Sequence, residues 1–122
     1  MTSMARVLVV DDDESIRLFV SMALQEEGYD VISAADGAAA LQVVEQTPPD
    51  VILLDMRMPV MDGWQFAAAY HQRPGPHAPT IVMTAARDAA ARAAQIHADA
   101  YLAKPFDLDE LIRRVDQYAS RA

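Results

Sequence analysis

The sequence predicts a doubly wound α/β fold, a mainly parallel sheet of five strands covered on both faces by five helices. Short apolar runs rich in β-branched residues alternate with longer stretches whose apolar residues repeat at helical spacing. The alternation runs from Val7 to Val115 without a linker or low-complexity stretch. A length of 122 residues suits one domain spanning the chain (1–122), able to bury roughly two-thirds of its unfolded surface around a single core. Strands joined in this way are parallel, because right-handed crossovers lay a helix over the sheet after each strand.

Each element has its own signal. Val7-Leu8-Val9-Val10 is an unbroken apolar run, too short for a helix and stopped by Asp11-Asp12-Asp13, so it reads as a buried first strand. Ile16, Phe19, Val20, Ala23 and Leu24 form one face of a first helix, and Gly28 supplies its left-handed stop. Tyr29 to Ala34 suits a second strand, Asp36 can cap a second helix, and Leu41 and Val44 share its face before Pro48-Pro49. Val51 to Leu54 is a third strand ending at Asp55. A loop with Pro59 and Gly63 leads to a third helix carrying Trp64, Phe66, Ala67 and Tyr70, broken by Pro74-Gly75-Pro76. Thr80 to Met83 is a fourth strand ending at Thr84, and Ala85 to Ile96 is expected to be an alanine-rich fourth helix. Ala100 to Ala103 is a fifth strand closed by Lys104-Pro105. Asp107 and Glu110 then resemble a capping box before Leu108, Leu111, Ile112 and Val115 of a fifth helix.

Composition narrows the function. At 52% hydrophobic and 23% charged residues the chain is globular rather than disordered or fibrous. Eighteen acidic residues against ten basic ones give a charge of -8, which would repel a polyanion, so direct nucleic-acid binding is not expected. The absence of cysteine excludes disulfides, thiolate zinc sites and a cysteine nucleophile, and fits a reducing compartment. The first apolar run is far too short for a signal peptide or a membrane span, so the expected location is cytoplasmic, without membrane insertion.

In a sheet of this kind, ligands meet the carboxyl ends of the strands near the topological switch point. Strands one, three, four and five close on Asp11-Asp12, Asp55, Thr84 and Lys104, which can therefore converge on one rim. Clustered carboxylates repel one another when partly desolvated, and a divalent cation relieves them. Oxygen donors without His or Cys favour Mg2+ or a similar ion such as Mn2+. Asp13 and Glu14 are better read as supports for the start of the first helix. A phosphate-binding nucleotide or flavin site is disfavoured there, since carboxylates replace the glycines and free amides that such sites present. What fits is metal-assisted phosphoryl chemistry with an aspartate nucleophile, a hydroxyl and an ammonium. Lys104 is the only lysine beside nine arginines, which points to a compact ammonium at that place. His71, His77 and His97 lack metal-ligand spacing and are expected at the surface.

At these residues the chain resembles the receiver domain of bacterial two-component response regulators, in a single-domain form like the chemotaxis regulators. The matching pieces are VLVVDDD at 7 to 13, DVILLDMRMPVMDG at 50 to 63, IVMTA at 81 to 85 and DAYLAKPF at 99 to 106. The resemblance implies a flavodoxin-like sheet of order 2-1-3-4-5. It implies Asp55 as phosphoacceptor, Asp11 and Asp12 as the metal-binding acidic pair with Asp12 the direct ligand, and the backbone carbonyl of Arg57 as a third protein ligand. It implies phosphate contacts from Thr84 and Lys104, a cis peptide bond before Pro105, and Tyr101 as an aromatic that turns as Thr84 shifts. The implied partners are a sensor histidine kinase or phosphotransfer protein and an unidentified downstream protein that meets the fourth helix, fifth strand and fifth helix, where Arg113, Arg114 and Asp116 are expected to be exposed.

The fourth helix, with good propensity but only Ile96 as a large apolar anchor, is the expected moving element. His97 stands where the family usually has a glycine of positive φ. Arg57 and Ala86 stand where the family tunes phosphate lifetime. With Ala122 closely following the fifth helix, no output domain is expected. Two other readings stay open at this stage: a phosphatase of the haloacid dehalogenase kind, and a phosphorylation-independent interaction module on the same fold. The first usually places a second aspartate where Arg57 stands, and the second would be favoured if acidic or lysine positions were missing.

Overall fold

The computed structural model describes residues 5–119. Five strands, β1 (Arg6–Val10), β2 (Asp30–Ala34), β3 (Val51–Asp55), β4 (Thr80–Ala85) and β5 (Ala100–Lys104), alternate with five helices. The helices are α1 (Glu14–Glu26), α2 (Gly37–Gln46), α3 (Gly63–Gln72), α4 (Ala89–Gln95) and α5 (Leu108–Ala119). All strand pairs are parallel, in the order β2-β1-β3-β4-β5. This is the doubly wound parallel sheet expected from the strand-helix alternation, in the flavodoxin-like order that the family resemblance implies.

The unbroken apolar runs now have a physical reason. Side chains along a strand alternate between faces, and here both faces are covered, so every position must be apolar. Leu8, Val10, Ile52, Leu54 and Val82 pack beneath α2, α3 and α4, together with Val44, Phe66, Tyr70 and Ile96. Val7, Val9, Val51, Leu53, Ile81, Met83 and Leu102 face α1 and α5, through Val20, Leu24, Leu111 and Val115. The chain reverses its winding between β1 and β3, so the crevice that takes ligands lies at their carboxyl ends.

Helix starts follow local chemistry. Asp13 accepts from Ser15 N and Ile16 N at the head of α1, and Asp36 accepts from Ala39 N at the head of α2. The full capping box lies at α3, where Asp62 and Gln65 bond each other's backbone; at α5, Asp107 accepts from Glu110 N at 2.8 Å. The fourth helix departs from expectation, starting at Ala89 rather than Ala85. Thr84 and Ala85 are held in the ladder opposite Ala103 and Lys104, so their backbone cannot turn helical, and residues 86–88 make the bend. Asp88 gives α4 no side-chain cap bond.

The second strand begins at Asp30, not Tyr29. Tyr29 turns to hydrogen-bond Asp116, joining the end of α1 to α5. Arg113 and Asp116 are exposed, but Arg114 is half-buried with its Nε covered, because the residue next to buried Val115 lies at the edge of the packed face. His97 adopts φ 55, the left-handed conformation in which glycine is cheaper. His71, His77 and His97 are all exposed. Among the described residues no helix is long and apolar enough to cross a membrane.

Leu53 lies wholly buried in the middle of β3. Replacing it with alanine is expected to destabilise the domain by about 2–5 kcal/mol, seen as a lower urea midpoint at unchanged slope. A shift worth less than about 1 kcal/mol would contradict this packing.

Candidate functional site

The site is built where β1, β3, β4 and β5 end. Asp11 follows β1 directly, and its N–H continues the ladder to Ala34 O at 3.1 Å. Its side chain is fully buried, yet each oxygen has a partner: Oδ1 accepts from Asp13 N at 2.9 Å and Oδ2 from Lys104 Nζ at 2.9 Å. Its backbone carbonyl accepts from Arg17 Nη1 at 2.8 Å. Asp12, the next residue, is exposed, whereas Asp13 faces the amides that it caps. The triple aspartate thus splits into one buried anchor, one free carboxylate and one helix cap.

Asp55 closes β3 and is 8% exposed. Its Oδ1 accepts from Met56 N at 2.9 Å and lies 3.6 Å from Lys104 Nζ. Carboxylate oxygens of Asp11, Asp12 and Asp55 lie within 4.8 Å of one another. The ladder sets Thr84, buried, one step beyond the residue paired with Asp55, and sets Lys104 opposite Ala85 at the same edge. Four of the residues singled out from the sequence are therefore gathered, with Thr84 beside them. Two are exposed: the Arg57 side chain, two residues after Asp55, and Tyr101, opposite Val82 on β5, at 42%. The Lys104–Pro105 peptide bond is cis.

Charge crowding has measurable consequences. Burial, with the nearby Asp11 charge, pushes the Asp55 carboxyl up to about 6; Lys104 and the Met56 N–H pull it down, and Asp12 adds to the rise. For Lys104, burial works against the ammonium, but the hydrogen bond to Asp11 and the charges of Asp55 and Asp11 outweigh it and raise its pKa. The lysine therefore stays charged at neutral pH and offsets one of three carboxylates. The remaining excess, carried only by oxygen donors of which one is exposed, fits a hard divalent cation.

Some supporting residues escaped the sequence reading. Arg17 fixes the main chain that bears Asp11 and Asp12. Its signal was faint, since a polar residue on the first helix reads as ordinary surface. Gly63 N–H donates to Met56 O at 2.9 Å, and a Cβ at Gly63 would come within 2.8 Å of the Asp55 carbonyl oxygen, so only glycine lets α3 start so close to β3. Between them, Val60 adopts φ 67, and Met61 N–H donates to Pro59 O at 2.7 Å. That is a γ-turn on a β-branched residue, a strained arrangement beside the site.

A doubly wound sheet in this order, with an acidic cluster and one ammonium at its switch point, defines the receiver class of signalling domains. The response regulator receiver domain family matches residues 7–116, and the chain belongs to that family. It is 37% identical over 119 residues to the transcriptional regulatory protein PdtaR of Mycobacterium tuberculosis, covering 95% of this chain and 57% of that protein. It is 43% identical over 116 residues to the DNA-binding transcriptional regulator NtrC of Escherichia coli, covering 93% of this chain and 24% of that one. The structure of the chemotaxis response regulator CheY4 of Vibrio cholerae matches with a TM-score of 0.83 at 35% identity, over 95% of this chain and 99% of that one. The chain spans about half the length of the first curated relatives that it matches. Receiver domains are signalling switches rather than ordinary enzymes, they bind Mg2+ at an acidic pocket, and they interact with histidine kinases and phosphotransfer partners.

A carboxyl raised in the folded state favours folding only while protonated, so its contribution is present below the unfolded value of 3.8 and is lost as pH rises through about 6. Asp55→Asn should therefore stabilise the metal-free protein at about pH 7.5 by up to about 3 kcal/mol. The gain should vanish near about pH 4. Thermal melts at the two pH values check this; equal Tm differences at both would contradict it.

Proposed function

We propose that this chain is a phosphoacceptor switch of a two-component phosphorelay, with Asp55 phosphorylated in a Mg2+-dependent reaction by the phosphohistidine of a sensor histidine kinase or phosphotransfer protein. The observation that carries the reading is the convergence of Asp11, Asp12 and Asp55 to within 4.8 Å, with Lys104 Nζ 3.6 Å from Asp55 Oδ1.

The ionised Asp55 carboxylate is the nucleophile. One of its oxygens attacks phosphorus, the P–O bond forms as the P–N bond breaks, and the donor imidazole leaves with the electron pair and takes a proton from solvent. Asp11, Asp12, Asp55 and the Arg57 carbonyl would hold Mg2+, or Mn2+ in its place. The ion supplies positive charge to the phosphoryl oxygens when bound. Lys104, already charged and 3.6 Å from Asp55, is within easy reach of the new oxygens, and Thr84 can donate its hydroxyl to them. Hydrolysis of the acyl phosphate by water returns Asp55 and ends the signal.

Phosphorylation takes the Asp55 group from -1 to about -2. Thr84 and Lys104 respond to that extra charge. A shift of Thr84 moves the end of β4 and the bend that leads into α4, and Tyr101, half out in this structure, turns inward behind it. The reshaped face of α4, β5 and α5 meets the downstream protein, and the net acidity of the domain argues that this partner is not nucleic acid.

Acetyl phosphate with Mg2+ tests the reading. Intact mass should rise by one phosphoryl group, mapped to Asp55 and absent from Asp55→Asn. A protein that stays unmodified would be an interaction module independent of phosphorylation, and one that releases phosphate from substrates over many turnovers would be a hydrolase. A second expectation concerns the long, exposed side chain of Arg57 beside the acyl phosphate. Arg57→Ala should change the autodephosphorylation half-life by about threefold or more, the effect of roughly one ordinary hydrogen bond, and an unchanged half-life would refute its role.

A further inference from the structure

Trp64 is the only tryptophan in the chain, and it sits on the second residue of α3, immediately after Gly63. Its Nε1–H donates to Gln95 Oε1 at 2.8 Å, and Arg92 lies over its ring with Cζ 5.1 Å from the centroid. Arg92 Nη1 also reaches the same Gln95 oxygen, at 3.5 Å. Both partners lie on α4. One indole thus engages two residues one turn apart on a neighbouring helix, half-buried Arg92 and exposed Gln95, by two different interactions.

The two helices are held very differently. The start of α3 is anchored to the phosphoacceptor strand by Gly63 N–H to Met56 O, and it carries the full capping box of Asp62 and Gln65. α4 is seven residues long, lacks a side-chain cap at Asp88, and buries only Ala89 and Ala93 before Ile96. Alanines supply little apolar area against β4 and β5, so the polar and cation–π contacts to Trp64 add a second hold to a shallow docking. α4 is also tied by the short segment 85–88 to Thr84, the hydroxyl that answers phosphorylation, whereas α3 is tied to Met56 behind Asp55.

We propose that Trp64 is a clamp that holds α4 against α3 in the resting switch and is released when Asp55 is phosphorylated. This rests on the phosphoacceptor reading. A pull on Thr84 toward the phosphoryl group drags the head of α4 while α3 stays with β3. The indole then loses register with Gln95 and Arg92, so the clamp opposes activation and sets how much of the population switches without a signal.

The test uses the full chain, with hydrogen exchange of the amides of Ala89 to Gln95 and the emission of Trp64 as readouts. Trp64→Phe keeps an apolar ring but loses the N–H and weakens the cation–π contact. Without any phosphodonor it should speed exchange in α4 about tenfold while leaving β1 unchanged, as expected for one hydrogen bond and one cation–π contact. Gln95→Ala, at an exposed position with better helix propensity, should speed it about threefold and red-shift the Trp64 emission. Saturating acetyl phosphate and Mg2+ should produce the same red shift in the unaltered protein, with phosphoryl incorporation followed separately by mass. If incorporation occurs but Trp64 emission and α4 exchange do not change, release of the clamp is wrong. If both variants exchange like the parent, the clamp itself is wrong. A lack of incorporation would instead overturn the phosphoacceptor reading, while the exchange of the two variants still decides whether the clamp exists.

Discussion

Three carboxylates crowded at one edge of a buried sheet are the constraint on which the site depends. At about 4 Å and an effective dielectric near that of a protein surface, each like-charge pair repels by about 4 kcal/mol. One ammonium, Lys104, cannot neutralise three acids, so the groups stay together only because the strands that carry them cannot move apart. Val7 to Val10 and Val51 to Leu54 are wholly buried, and a shift of either strand would open the core on both faces. The excess negative charge suits the place to a cation and, on the proposed reading, makes it sensitive to one more phosphoryl group.

The connecting segments bear the cost of this arrangement. Val60 and His97 occupy the left-handed region where glycine would be at ease, and such residues cost on the order of 1–3 kcal/mol each. The first lies in the loop that leads from Asp55 to α3, and the second in the turn that delivers β5 with Tyr101 and Lys104. Gly63 allows α3 to begin against the Asp55 carbonyl. The rigid parts are therefore apolar and central, whereas the strained parts are short and exposed, Val60 in the loop beside the site and His97 at the opposite end of the sheet, where β5 begins.

Much of this is legible in the sequence. Strands with both faces covered announce themselves as continuous apolar runs, and the rule that ligands gather at strand ends brings Asp11, Asp12, Asp55, Thr84 and Lys104 to one rim without further knowledge. The structure departs from the local signal where a tertiary contact overrides it. Alanine-rich sequence suggested a helix from Ala85, but ladder pairing with Lys104 held that residue in the strand. Arg114 looked solvent-exposed by type, yet its Nε is covered. The bond from Trp64 to Gln95 spans 31 positions with no periodic pattern linking them, so only the folded chain reveals it. The capping box of Asp62 and Gln65, by contrast, spans only three positions, so local sequence alone carries its signal.

Calorimetric titration of the unmodified protein with MgCl2, in two buffers of different ionisation heat, tests the central claim most directly. With the Asp55 carboxyl near 6, cation binding at that pH should expel a fraction of a proton, an effect that fades near about pH 8. One ion should bind per chain, and Asp12→Asn should weaken it by about tenfold or more, the loss of one direct carboxylate ligand. Saturable binding that ignores the Asp12 substitution and releases no proton at either pH would contradict the account.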